Sequence, residues 1–210
     1  METYPLSLAI FDFVPVTFFL IGAFFLVRTA MLLRGTACSR MVMAGSLLIF
    51  MGGFLKAGWK ILYTTNVGDF QWMSQIQFVL VAPGFLALLV AAILVARGRK
   101  QAAEAASAAK SAPLLAIATW KIPLLAVMTL ASMGAQGILA YLSFRRGARL
   151  AAAGFIVAFL CLVGMGAMAS GEQTLAKQWI EESINTAGQL GFMLGSILLY
   201  RNIKNSPQPC

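Results

Sequence analysis

Seven charged side chains stand out within or beside the apolar stretches of this sequence once the flanking basic residues, and Arg28, which can snorkel, are set aside: Asp12, Lys56, Lys60, Lys121, Glu172, Glu181 and Glu182. An ionisable group in an apolar medium is costly unless it is paired, so each is a candidate for binding or ion-pair chemistry. Lys56 and Lys60 stand four residues apart and share one helical face, with Trp59 beside them. They either snorkel to a membrane interface with Trp59 as anchor, or face an anion or a carboxylate. Asp12 ends a short segment before Pro15 and should reach the same layer, which makes it the best partner for either lysine. The second half offers the same theme with signs exchanged. Glu172, Glu181 and Glu182 gather before the last apolar stretch, and Lys121 stands one residue beyond the position equivalent to Asp12. The expectation is two related clusters on opposite faces, lysines meeting a carboxylate outside and carboxylates meeting a lysine inside. Solvated interfacial charges are the competing reading.

Glu181, Glu182, Asn185 and Gln189 follow spacings of three to four, which places them in a stripe facing protein or water rather than lipid. This stripe is the best candidate lining for a cavity, with Glu182 and Asn185 foremost; ordinary interhelical hydrogen bonding would also explain it. Ser74, Gln75 and Gln77 open the third apolar stretch in a similar way. Pro83 sits near the middle of that stretch, followed by Gly84. A proline there frees a carbonyl and kinks the helix, and interrupted helices line sites in some transporters.

Other chemistry is excluded by what is missing. The chain has no histidine, so bis-His haem, His-ligated zinc, Ser-His triads and histidine proton relays fall together. Cys38, Cys161 and Cys210 are far apart and form no CxxC pair. No phosphate-binding glycine loop, HExxH, Gly-x-Ser-x-Gly or acidic metal cluster occurs. The adjacent Glu181 and Glu182 diverge by roughly 100° on a helix and make a poor acid–base dyad. No catalytic residue, metal or cofactor is expected.

The elements that must position these residues follow from composition. Of 210 residues, 60% are hydrophobic and 11% charged, and the mean hydropathy is +0.83. Soluble domains carry roughly 25% charged residues, so this chain reads as an all-α integral membrane protein. The formal charge of +9 would suggest nucleic acid in a soluble protein, but here the basic residues flank apolar runs, and a nucleic-acid partner is disfavoured. Six spans emerge: Phe13 to Leu33, Met41 to Tyr63, Ile76 to Ala96, Ile122 to Phe144, Leu150 to Ala169 and Ile184 to Tyr200. An Ala-rich stretch at 98–112, too polar to span, separates two units at 1–97 and 113–204, and 205–210 forms a short tail. The start lacks the basic n-region of a cleaved signal peptide.

The two units echo each other. Pro5-Leu6 and Pro15 recur as Pro113-Leu114 and Pro123, and Gln71-Trp72 and Gly84-Phe85 as Gln178-Trp179 and Gly191-Phe192. Ala44-Gly45 matches Ala153-Gly154, and Arg34-Gly35 matches Arg146-Gly147. Ordered matches at nearly one spacing indicate a duplicated three-helix unit. Three spans per unit should insert the second upside down, giving inverted repeats. With the N-terminus outside, that arrangement leaves nine basic residues inside and seven outside, a weak bias. Charge read in each half alone orients the halves in parallel instead, and span counting must override it.

The function expected on these grounds is a multi-pass transporter or channel-like permease of the inner, plasma membrane, with a small-solute site between the repeats. The first alternative is a non-catalytic membrane subunit or lipid-binding partner of a larger complex, and the second an intramembrane lipid-modifying enzyme. Membrane lipid is the expected surrounding partner, with a second copy or another membrane protein beside it. Gly188, Gly191 and Gly195 favour close helix packing, within the chain or between copies.

Overall fold

The computed structural model describes residues 5–97, 121–168 and 174–206. Every regular element among them is helical. Helix α1 (Leu6–Phe11) bends at Asp12 into α2 (Phe13–Arg34), and α3 (Thr36–Thr64) and α4 (Gln71–Ala96) complete the first half. The second half comprises α5 (Lys121–Arg145), α6 (Arg149–Met168) and α7 (Leu175–Asn205). Five stretches are long and apolar enough to cross a membrane: Leu6–Arg34, Thr36–Thr64, Gln71–Ala96, Leu124–Arg145 and Arg149–Met168. The sixth expected span lies within α7, which at 31 residues has the length but not the apolarity. Its first half carries Lys177, Glu181, Glu182, Asn185 and Gln189, and those residues face the inside of the bundle or its rim.

Local chemistry sets the corners. Gly35 and Gly147 end α2 and the α5 turn at φ of 80° and 73°, a left-handed backbone that glycine adopts without steric cost. Each follows an arginine, as the internal repeat requires. Thr174 caps α7, its hydroxyl accepting from the Lys177 backbone N–H at 3.3 Å. The Arg34 guanidinium donates to the carbonyls of Leu94 (2.9 Å), Val95 (3.0 Å) and Arg97, satisfying the open C-terminal end of α4.

The six long helices pack as a closed ring in chain order, α2 against α3, α3 against α4, and so on until α7 returns to α2. The broadest contacts are α3 with α4 and α6 with α7. Both crossings are built by the same device. A Cβ on Gly45 would lie 2.8 Å from the Gly84 carbonyl oxygen, and one on Gly154 would lie 2.7 Å from that of Gly191. Only glycine lets backbones approach so closely, which is how helices gain packing energy where lipid removes the hydrophobic drive. Buried Phe155, Phe192, Leu88 and Leu139 belong to the core between the walls.

Helix directions depart from the expected inversion. The C-terminal ends of α2 and α4 meet through Arg34 and the carbonyls of Leu94 and Val95. Lost hydration and then the charge of the same Arg34 lower the Arg146 pKa below its ordinary value, so the end of α5 lies there too. Leu139 of α5 shares a small void with Leu26, Ala91 and Val95. At the opposite end, Leu125 and Met128 of α5 share a cavity with Asp12, Gln77 and Glu182. Helices α4 and α5 thus run the same way, and the halves are parallel rather than inverted. A shift of three places around the ring preserves both neighbours and directions, as a pseudo-two-fold axis along the bundle does. α4 ends at the Arg34 end and α5 begins at the Asp12 end; the linker expected at 98–112 lies outside the described residues.

Parallel halves also resolve the charge conflict. Arg28, Arg34, Arg40, Arg97, Arg145, Arg146, Arg149, Arg201 and Lys204 all fall at the Arg34 end. The other end holds Lys56, Lys60, Lys177 and, at the start of α5, Lys121, with the acidic Asp12, Asp69, Glu181 and Glu182. The near-even split was a product of the inverted assignment.

Candidate functional site

The ring encloses a cavity of about 340 Å³ lined by residues from all six long helices. It opens toward the acidic end. There, α2 contributes Asp12 from its first bend, α3 contributes Lys56 and Lys60 from its last three turns, and α7 contributes Glu182. The helical period explains the placement: Lys56 and Lys60 share a face, and so do Glu182, Asn185 and Gln189.

These groups form one connected cluster. Lys60 is ion-paired to Asp12 Oδ2, and its Nζ donates to Glu182 Oε1 at 3.3 Å. Lys56 Nζ stands 3.8 Å from the same Glu182 oxygen. Asn185 Nδ2 donates to Glu182 Oε2 at 3.3 Å. Asp12, Lys60 and Glu182 are buried, whereas the Lys56 side chain is 38% exposed. Burying one such charge alone would be prohibitive; two carboxylates and two ammonium groups together compensate one another. Asp12 Oδ1 has no hydrogen-bond partner among the described residues, although Asp12 is only 4% exposed.

Sequence and structure agree that Asp12 pairs with a lysine, and the structure selects Lys60. Glu182 joins that same cluster instead of forming a mirror cluster on the other face, because the halves run parallel. Glu181 is half-buried on the rim, where it pairs with Lys177 at 3.9 Å. Gln189 and Asn185 line the cavity as the stripe indicated. Pro83 is not among its lining residues; α4 continues through it, and its neighbour Gly84 makes the contact with α3. The Lys121 side chain and Glu172 lie outside the described residues.

Above the cluster, a polar vestibule of about 350 Å³ is lined by Trp59, Ser74, Gln75 and Gln178, and shares Lys56, Gln77, Phe78 and Glu182 with the cavity. Trp59 Nε1 donates to Asp69 Oδ1 at 3.0 Å and Gln71 Nε2 to Asp69 Oδ2 at 2.9 Å, which fixes the α3–α4 loop at the rim. Below, the cavity narrows to a pocket of about 70 Å³ reaching Ser132 and Gln136 of α5 and Cys161 of α6. Ser132 Oγ and Gln136 Oε1 have no partner among the described residues. Beyond them the path closes on packed Leu88, Leu139 and Phe192. Sequence reasoning missed Ser132, Gln136 and Asp69. The four-residue spacing of Ser132 and Gln136 was the available signal for a polar face on α5.

Among the described residues, no group of three or more His, Cys, Asp or Glu side chains is arranged to hold a metal ion. No family model matches the sequence, and comparison with curated proteins and with solved structures finds no match.

Proposed function

We propose that this chain is a small multi-pass permease whose two three-helix halves enclose one binding site for a small solute. The observation that carries the reading is the cavity itself: it lies between the halves, is lined by every long helix, opens at one end through a charged mouth and is closed at the other. Related halves facing each other across a central site are the architecture by which many transporters expose a solute to alternate sides. The lining supplies ion-pairing groups at the mouth and apolar, aromatic walls beneath, the composition of a ligand pocket.

In a cell membrane the basic Arg34 end faces the cytoplasm and the acidic Asp12 end faces outward, by the preference of cytoplasmic loops for Lys and Arg. The N-terminal helix then begins outside, and the cavity is open to the outside. Surrounding lipid is the direct partner of the exposed apolar faces.

The test is uptake by proteoliposomes of the purified protein from a mixture of labelled small solutes. Saturable accumulation is expected, lost in Glu182→Gln, because that substitution removes the carboxylate both lysines share. Equal accumulation in protein-free and protein-containing liposomes would contradict the reading.

A further inference from the structure

We infer that the solute is a small zwitterion on an apolar body, its cationic group taken by Asp12 and its anionic group by Lys56. This rests on the permease reading and names the substrate class of the same site.

Charge balance is the first argument. Two carboxylates, Asp12 and Glu182, face two ammonium groups, Lys56 and Lys60, so the cluster sums to zero. In a cavity walled by apolar helices, a singly charged guest unbalances that sum, and the imbalance is poorly screened. A zwitterion leaves the sum at zero and can still pair with both signs.

The second argument is which atoms remain open. Glu182 is saturated: Lys60 and Lys56 lie at Oε1, and Asn185 donates to Oε2. Asp12 uses only Oδ2, on Lys60. Asp12 Oδ1, in a residue 4% exposed and lining the cavity, lacks a hydrogen-bond donor among the described residues. A buried carboxylate oxygen without a donor is costly, and an incoming ammonium supplies one. Lys56 presents the complementary surplus. It is the most exposed member of the cluster, and its Nζ stands 3.8 Å from Glu182 Oε1, beyond hydrogen-bond distance. An ammonium carries three donors, and an anionic group entering from the vestibule meets them there.

The third argument is the floor. Below the charged mouth stand Phe19, Phe50, Phe85 and Leu162, which suit an apolar or aromatic body, with Asn185 and Gln189 on the α7 side and Ser132 and Gln136 beneath. At about 340 Å³ the cavity is at the small end of the roughly 300–1,000 Å³ typical of ligand pockets. An ammonium and an anion on a short spacer occur both in free amino acids and in zwitterionic lipid headgroups, and the experiment must separate them.

The full chain in phosphatidylglycerol nanodiscs is titrated with L-phenylalanine, 3-phenylpropionate and 2-phenylethylamine, which share a body and differ in head charge. Phenylalanine is expected to bind at least tenfold more tightly than either singly charged probe. Lys56→Gln should bring it down to the level of phenylethylamine, and Asp12→Asn to that of phenylpropionate. Should Asp12→Asn fail to fold, Lys56→Gln, at the exposed member, carries the test. Equal or tighter binding of a singly charged probe, or no effect of Lys56→Gln, overturns the zwitterion and leaves the permease to its own uptake assay. A parallel arm adds phosphatidylethanolamine to the nanodiscs. If that lipid displaces phenylalanine, and does so less in Lys56→Gln, the zwitterion is a headgroup: the inference holds and the solute permease fails. Binding of neither the three probes nor the lipid overturns the inference.

Discussion

Removing Lys60 should unbalance the molecule more than removing any other single side chain of the cluster. Lys60 is 6% exposed and holds two buried carboxylates, Asp12 and Glu182, at once. Lys60→Met keeps the length and apolar stem but leaves those carboxylates facing each other with only the more distant Lys56 nearby. Breaking a buried ion pair by deleting one partner costs about 3–5 kcal/mol. For a chain of this size each kcal/mol corresponds to roughly 2–4 °C of melting temperature, so the expected loss is on the order of 6–20 °C. Lys56→Met is the control: its side chain is 38% exposed and its contact with Glu182 is 3.8 Å long, so about 0–1 kcal/mol is expected. The double variant Asp12→Asn, Lys60→Met removes one charge of each sign and should recover most of the loss. The assay is thermal unfolding of the detergent-purified protein, read as a double-mutant cycle. If Lys60→Met melts no lower than Lys56→Met, or the double variant melts no higher than Lys60→Met, the connected cluster is not what holds these helices together.

Four further outcomes follow from the packing and the helix directions. Gly154→Ala places a Cβ 2.7 Å from the Gly191 oxygen and 2.9 Å from the Gly195 nitrogen, so α6 and α7 must separate at a cost of about 1–3 kcal/mol in a melting assay. Gly137→Ala meets nothing within 4 Å and should be neutral or stabilise by roughly 0.5–1 kcal/mol through helix propensity. Single cysteines at positions 35 and 147, in a background without the native cysteines, should react with an impermeant thiol reagent from the same side of the membrane; labelling from opposite sides would restore the inverted arrangement. Arg34→Ala strips donors from the Leu94 and Val95 carbonyls and should cost about 1–3 kcal/mol, with faster hydrogen exchange confined to the last turn of α4.

Much of this was written in the chain at the level of composition and period. Apolar length located the helices, and the matched blocks picked out as equivalents the glycines that the structure sets into the two crossings, Gly45 against Gly84 and Gly154 against Gly191. Spacings of four and three residues put Lys56 with Lys60 and Glu182 with Asn185 on common faces. Two things were not legible. Span counting gave the wrong direction for α5, because the route of the chain between α4 and α5 is not encoded in a hydropathy profile. The charge pattern within each half pointed to the parallel arrangement all along. The meeting of Glu182 with Lys60, 122 residues apart, depends on that direction and on ring closure between α2 and α7, neither of which leaves a local signature. Pro83 is conspicuous by its residue type, yet the side chains that face the cavity from α4 are Gln77, Phe78, Val81 and Phe85.

The central claim is that the space between the halves is a solute site entered through the Asp12 and Lys56 mouth. It is tested most directly by density for the protein purified from its native membrane with its lipids retained. The account predicts a compact ligand between the halves, one end within hydrogen-bond reach of Asp12 Oδ1 and Lys56 Nζ and its body against Phe50 and Phe85. A cavity filled by the protein's own side chains, or the six helices closed with no space between them, would contradict it.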